Sequence, residues 1–158
     1  MNLPAVDEPS LFLESEEATL AFGRRLAQII EPGLYIALSG NLGSGKTTLT
    51  RGMLRGLGYP GKVKSPTYTL VELYKLSRLN LYHFDFYRFN DPQEWVDAGF
   101  REHFDSDNVC LVEWPERVGN LLPSPDLKIS LREDGDGRRI GIVAETEHGK
   151  SCLKRLPD

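Results

Sequence analysis

Cysteine is scarce in this chain, with two among 158 residues. Cys110 lies in an apolar run and Cys152 lies near the C-terminus, a usage that provides no disulfide framework and indicates no metal cluster. Long hydrophobic runs are missing as well. Nothing approaches the roughly 18 apolar residues that span a bilayer, so no membrane partner is expected. Excess positive charge is also lacking: 19 Lys and Arg stand against 23 Asp and Glu, for a net charge of −4. That balance argues against the cationic footprint used to hold DNA. The close pairs Arg51/Arg55 and Lys62/Lys64 leave room for a local basic stripe, although such residues are more often a solvated face. The first residues, Met1 to Glu8, are acidic and lack the basic-then-apolar layout of a signal peptide, so the expected compartment is the cytoplasm. What remains is an ordinary globular composition, 40% hydrophobic and 27% charged, with a length suited to a single domain over residues 1–158.

The most informative stretch is Gly40-Asn41-Leu42-Gly43-Ser44-Gly45-Lys46-Thr47, a complete G-x-x-x-x-G-K-[ST] phosphate-binding loop. Its glycines let backbone N–H groups converge on one anion. Lys46 supplies charge for the β- and γ-phosphates, and the Thr47 hydroxyl is a ligand for Mg²⁺. The context matches the pattern. Leu34 to Leu38 is an apolar run between glycines and predicts a buried strand. Thr47 to Leu57 carries Leu49, Met53, Leu54 and Leu57 at helical spacing. The helix N-terminus aims its positive dipole end at the same anion.

The flanking chain predicts an α/β fold. A short strand at residues 10–13 precedes a helix from Glu16 to Ile30, with Ser15 as N-cap, acidic residues in its first turn and Pro32-Gly33 as the stop. After the phosphate-loop helix, Pro66 forces an extended approach at Ser65 and leads into a β-rich stretch from Tyr68 to Tyr74. Thr67 is a candidate γ-phosphate sensor there, although Ser-Pro-Thr also suits a plain turn. Leu79 to Asp85 is a further strand, and Asp91-Pro92-Gln93-Glu94 opens a helix through Ala98. Asn108 to Glu113 is an apolar run ending in an acid, the signature of a buried parallel strand presenting a carboxylate at its ligand-binding end. Residues 127–132 and 139–145 alternate about an acidic Gly-containing turn and predict a β-hairpin. No motif is evident after Glu145.

Two carboxylates, Asp85 and Glu113, compete for the metal side of the site. An ATPase uses one acid to hold the Mg²⁺ water shell and often another group to orient water, so both fit. Structural caps or surface ion pairs remain alternatives. Alternation places His83 on the same side of its strand as Asp85, where it reads as structural.

The phosphate loop extended through Thr48, together with Ser65-Pro66-Thr67-Tyr68-Thr69-Leu70, His83-Phe84-Asp85-Phe86-Tyr87-Arg88 and Val112-Glu113-Trp114-Pro115, resembles the TsaE (YjeE) family. These are small ATPases of bacterial tRNA threonylcarbamoyladenosine biosynthesis. The likeness covers about residues 10–145. It implies a P-loop NTPase-like, three-layer fold with a mostly parallel central sheet flanked by helices and an antiparallel C-terminal hairpin. It also implies ATP and Mg²⁺ as ligands and TsaB and TsaD as protein partners, with tRNA met only through that complex. By the resemblance, Asn41, Leu42, Gly43, Ser44, Gly45, Lys46, Thr47 and Thr48 hold the nucleotide. Thr47, Asp85 and Glu113 make the metal and water site, and Thr67 is the switch residue. Glu16 and Gly137 are weaker nucleotide contacts, and Ser44 replaces a common alanine. A regulatory GTPase and a small-molecule kinase are the alternatives. The first lacks an Asn-Lys-x-Asp reader, and the second lacks an obvious acceptor segment or lid.

Overall fold

The computed structural model describes residues 10–41, 43–104 and 107–157. Seven strands form one sheet. In chain order they are β1 (Leu11–Leu13), β2 (Tyr35–Gly40), β3 (Val71–Lys75), β4 (Asn80–Asp85), β5 (Asn108–Glu113), β6 (Leu127–Asp134) and β7 (Gly137–Ala144). The spatial order is β1-β7-β6-β2-β5-β4-β3. β6, β2, β5 and β4 run parallel, while β3, β7 and β1 pair antiparallel at the two edges. The phosphate-loop strand β2 is therefore central, with the acid-bearing β5 beside it and β4 one strand further out.

The period-2 alternation of these strands builds two cores. Ile36 and Leu38 of β2, Val109 and Leu111 of β5, and Ile129 and Leu131 of β6 share an aliphatic cluster with Phe22, Leu26, Leu49, Met53 and Leu54. Those last five belong to helices α1 (Glu16–Ala27) and α2 (Lys46–Gly56). The alternate residues Tyr35, Ala37, Cys110 and Val112 face an aromatic cluster with Phe84, Phe86, Phe89 and Trp95. This second face is covered by the short α3 (Gln93–Asp97) and by single 3₁₀ turns at Phe100–His103, Pro115–Arg117 and Gly119–Leu121. The expected mixed α/β sheet with helices on both faces and a C-terminal hairpin is what forms. α1 and α2 touch backbone to backbone, because a Cβ at Gly52 would overlap the Leu20 carbonyl and one at Gly23 would overlap that of Leu49.

Local chemistry explains the boundaries. Ser15 caps α1, its hydroxyl accepting from the Ala18 N–H at 3.0 Å. The helix ends at Ala27 rather than Ile30 because Gln28, Ile29 and Ile30 donate to Arg25, Leu26 and Ala27, a tightened i→i−3 turn. Asp91 Oδ1 accepts from Gln93 N–H, and Glu94 Oε1 accepts back from Asn90 and Asp91 N–H, the reciprocal cap expected from those residues. The strand expected from Tyr68 begins only at Val71, since the Leu70 N–H bonds Pro66 O and Leu70 sits at φ 70°. The segment after Glu145, which offers no sequence motif, forms helix α4 (Glu147–Lys154) under a Thr146 cap.

Candidate functional site

The turn from β2 into α2 has its expected strand–loop–helix form. Gly45 caps α2 at φ 104°, a conformation few side chains tolerate, and among the described residues no side chain caps the helix N-terminus there. The first turn of α2 also holds no acidic residue. Its N–H groups and dipole are left for an external anion. Leu42, expected at this loop, lies outside the described residues.

Opposite the loop stand the ends of β4 and β5. Asp85 and Glu113 are direct neighbours in the parallel register. One oxygen of Glu113 lies 3.0 Å from Lys46 Nζ, and the other lies 2.7 Å from His83 Nε2. Burial pushes the Glu113 carboxyl up, but the His83 hydrogen bond and the charges of His83 and Lys46 outweigh it and leave Glu113 below its ordinary value. Asp85 moves the other way. Burial raises it and Glu113 adds to the rise, against the Tyr87 N–H that donates to its Oδ1 at 2.9 Å. Thr67 Oγ1 lies 3.4 Å from Asp85 Oδ2 and 2.7 Å from Ser65 Oγ, so the candidate switch segment is tied to the acid.

These groups line a cleft of about 800 Å³. Of the residues expected from sequence, Glu16, Asn41, Gly43, Gly45, Lys46, Thr47, Thr48, Thr67, Asp85 and Glu113 border it. Ser44 is buried and its hydroxyl has no hydrogen-bond partner among the described residues. Gly137 opens β7 and packs on Leu13 and Phe12, while its neighbours Asp136 and Arg138 reach the cleft. Arg138 donates to the Gly43 carbonyl at 3.1 Å, laying a hairpin cation along the phosphate loop. Tyr68, Tyr87 and Trp114 form an aromatic wall, with Lys46 Nζ 5.6 Å from the Trp114 ring centre. Trp114 is held at φ 59°, ψ 48°, a left-handed geometry that costs about 1–3 kcal/mol and gathers at functional sites. Arg138 carries no recognisable sequence signal for this role, whereas Tyr68 lies in the Ser65–Leu70 motif and Tyr87 and Trp114 are embedded in the two acid-bearing motifs.

The donor set suits magnesium nucleotide. Thr47, Asp85 and Glu113 offer hard oxygens, which Mg²⁺ prefers, and Lys46 with the α2 N-terminus offers positive charge for phosphates. The chain that builds this cleft is similar to known proteins over most of its length. A family model for "Threonylcarbamoyl adenosine biosynthesis protein TsaE" matches residues 13–140. The chain is 43% identical over 147 residues to the Haemophilus influenzae tRNA threonylcarbamoyladenosine biosynthesis protein TsaE, covering 90% of this chain and 93% of that one. It is 42% identical over 123 residues to the Bacillus subtilis protein of the same name, covering 78% and 77%. The crystal structure of Bacillus subtilis YdiB superposes with a TM-score of 0.81 at 32% identity, covering 97% of this chain and 96% of that one. A match over a range that includes the phosphate loop and both acids, joined to a shared P-loop NTPase-like fold, makes this chain a member of the TsaE family.

Proposed function

We propose that the chain binds ATP with Mg²⁺ in this cleft and hydrolyses it as the ATPase component of tRNA threonylcarbamoyladenosine biosynthesis, acting with TsaB and TsaD. The reading is carried by one observation: two carboxylates at the ends of adjacent parallel strands face a phosphate loop in a TsaE-family chain. The loop N–H groups and Lys46 hold the β- and γ-phosphates. To do so Lys46 exchanges its ion pair with Glu113 for phosphate oxygens. His83 stays on the other Glu113 oxygen and keeps that carboxylate oriented as it is released. Thr47, Asp85 and Glu113 supply the oxygens for Mg²⁺ and for positioning the attacking water. The metal, when bound, neutralises charge on the β- and γ-phosphate oxygens.

Thr67 reads the occupied site through its contact with Asp85, and the loop around it carries Tyr68, 82% exposed at the cleft rim. Nucleotide-dependent ordering of such a segment is a state a partner can read. The isolated chain is therefore a weak ATPase that TsaB and TsaD stimulate, and it meets tRNA only through that assembly in the cytoplasm. The test is multiple-turnover formation of modified tRNA with and without this protein, using Lys46→Ala as the control, alongside ATP turnover alone and with each partner. Partner-dependent turnover is the expected result. Full turnover alone, unchanged by partners and unrelated to tRNA modification, replaces this reading with a self-contained ATPase or kinase.

A further inference from the structure

At the end of the sheet opposite the cleft, before the first residues of β2 and β6, three potential metal ligands converge. Glu31 lies in the turn between α1 and β2, while His148 and Cys152 sit one helical turn apart on α4. Their ligand atoms all lie within 4.8 Å of one another. His148 Nε2 is 2.8 Å and Cys152 Sγ 3.2 Å from the same Glu31 oxygen, Oε1. We propose that Glu31, His148 and Cys152 form a divalent-metal site, matched in chemistry to Zn²⁺, that clips α4 to the body of the protein.

The donor types are the first argument. Thiolate, imidazole and carboxylate are each zinc donors, with bonds of about 2.3, 2.0 and 2.0–2.2 Å respectively. Tetrahedral bonds of those lengths separate ligand atoms by about 3.3–3.7 Å, against 2.8 and 3.2 Å for the two pairs to Glu31 and no more than 4.8 Å for any pair here. Uptake needs small side-chain movements, not a rearrangement of backbone.

The surroundings are the second argument. A histidine ligand is usually oriented by a carboxylate on its other nitrogen. Asp126 Oδ2 stands 3.9 Å from His148 Nδ1. Asp126 is itself fixed, since its Oδ2 accepts from the Tyr35 N–H at 2.8 Å and its Oδ1 from the Thr146 hydroxyl at 2.6 Å. Arg155 pairs with the second Glu31 oxygen at 3.3 Å and also approaches Cys152 Sγ at 3.6 Å. Oε1 is thereby left toward the cluster. Helix α4 can lie this close because residue 149 is glycine, where a Cβ would overlap the Asp126 carbonyl.

Charge and access are the third. A thiolate and a carboxylate neutralise M²⁺, and Asp126 balances Arg155. Without metal, Cys152 is a thiol donating to Glu31, because burial and that hydrogen bond push it up to about 11. Binding forms the metal–sulfur bond and releases the thiol proton to water. Cys152 is buried, but the side chains of His148 and Glu31 are 37% and 39% exposed, leaving an entry path and a fourth position for water.

Titration of the full-length, metal-stripped protein with Co²⁺ tests this directly. One equivalent should produce a thiolate-to-cobalt charge-transfer band with the visible bands of tetrahedral cobalt. Zn²⁺ should remove both, and excess Mg²⁺ should not. Cys152→Ser should lose the charge-transfer band, His148→Ala should weaken binding by at least about tenfold, and Cys110→Ala should change neither. Cobalt held at the nucleotide cleft gives no such band, because that cleft has no cysteine in its described lining. ATP binding by Cys152→Ser checks that it folds; if it does not fold, Glu31→Gln and His148→Gln carry the test through lost affinity. Absence of the band in the parent protein, its survival in Cys152→Ser, or parental affinity in both Glu31→Gln and His148→Gln overturns the proposal.

Discussion

The two ends of the parallel sheet carry clusters of similar make-up: a glutamate bonded to a histidine and to a third polar group, through separate oxygens at one end and a shared oxygen at the other. At the cleft end, Glu113 lies between His83 and Lys46. At the opposite end, Glu31 lies between His148 and Cys152. They differ in what supports them. His83 and Glu113 project from neighbouring strands β4 and β5 and are buried, so backbone register fixes their separation. Glu31 and His148 come from a turn and a terminal helix and are partly exposed. A carboxylate–histidine pair is not itself a functional signature. Its neighbours decide the chemistry: a helix N-terminus and a lysine at one end, a thiol and a second carboxylate at the other.

The largest expected effect separates the ends outright. Lys46→Ala removes the only lysine lining the described cleft, so ATP affinity should fall about 100-fold or more while the other end is untouched. Equilibrium nucleotide binding measures this, and unchanged affinity in a folded variant removes the phosphate-loop assignment. Asp85→Ala and Glu113→Ala should each lower partner-stimulated hydrolysis by about 100-fold with a smaller effect on folding. Parental turnover of either variant in the full assembly makes that residue structural. Trp114 fluorescence should report nucleotide binding, since its ring lies 5.6 Å from Lys46 Nζ.

Next in size is the buried support. His83→Ala leaves a Glu113 oxygen without its 2.7 Å partner and should cost about 3 kcal/mol, the order seen when one member of a buried pair is deleted. Chemical denaturation measures it. Acid behaviour checks the same cluster. Glu113 is held below its ordinary value of 4.5, so its stabilisation is present above pH 4.5 and is lost as pH falls through the lowered value. Asp85 is raised and contributes with the opposite sign. Glu113→Gln should therefore flatten the acid limb of stability in nucleotide-free protein; an unchanged limb means the pair carries no linkage.

The cleft end was legible in sequence and the far end was not, for a physical reason. A phosphate loop needs glycine, lysine and threonine at fixed spacing, so the chemistry is written in eight consecutive residues. Asp85 and Glu113 each end an apolar strand, and a parallel sheet brings such ends together. The far cluster joins residues 117 positions apart, and the α4 segment holds too few apolar residues to show a helical stripe. Arg138 was missed similarly: it reaches Gly43 only because β7 folds back along β6. The aromatic face was readable as strands and as the short helix opened by Asp91-Pro92-Gln93-Glu94, while the 3₁₀ turns that complete its cover have no periodicity to detect.

The smallest effect is the sharpest probe of whether the two ends act separately. Thr146 caps α4 by accepting from the Gly149 N–H at 3.0 Å and donates to Asp126 at 2.6 Å. Thr146→Ala removes both bonds and should cost about 1 kcal/mol, the usual loss for an N-cap. Asp126 keeps its bond from the Tyr35 N–H, so the start of β2 stays anchored and α4 alone loosens. Strand β2 then carries no displacement to Gly40 and the phosphate loop. ATP affinity and partner-stimulated turnover should equal those of the parent, while hydrogen exchange in α4 quickens. If nucleotide affinity falls along with α4 protection, the strand transmits the state of one end to the other, and the two clusters belong to a single coupled device.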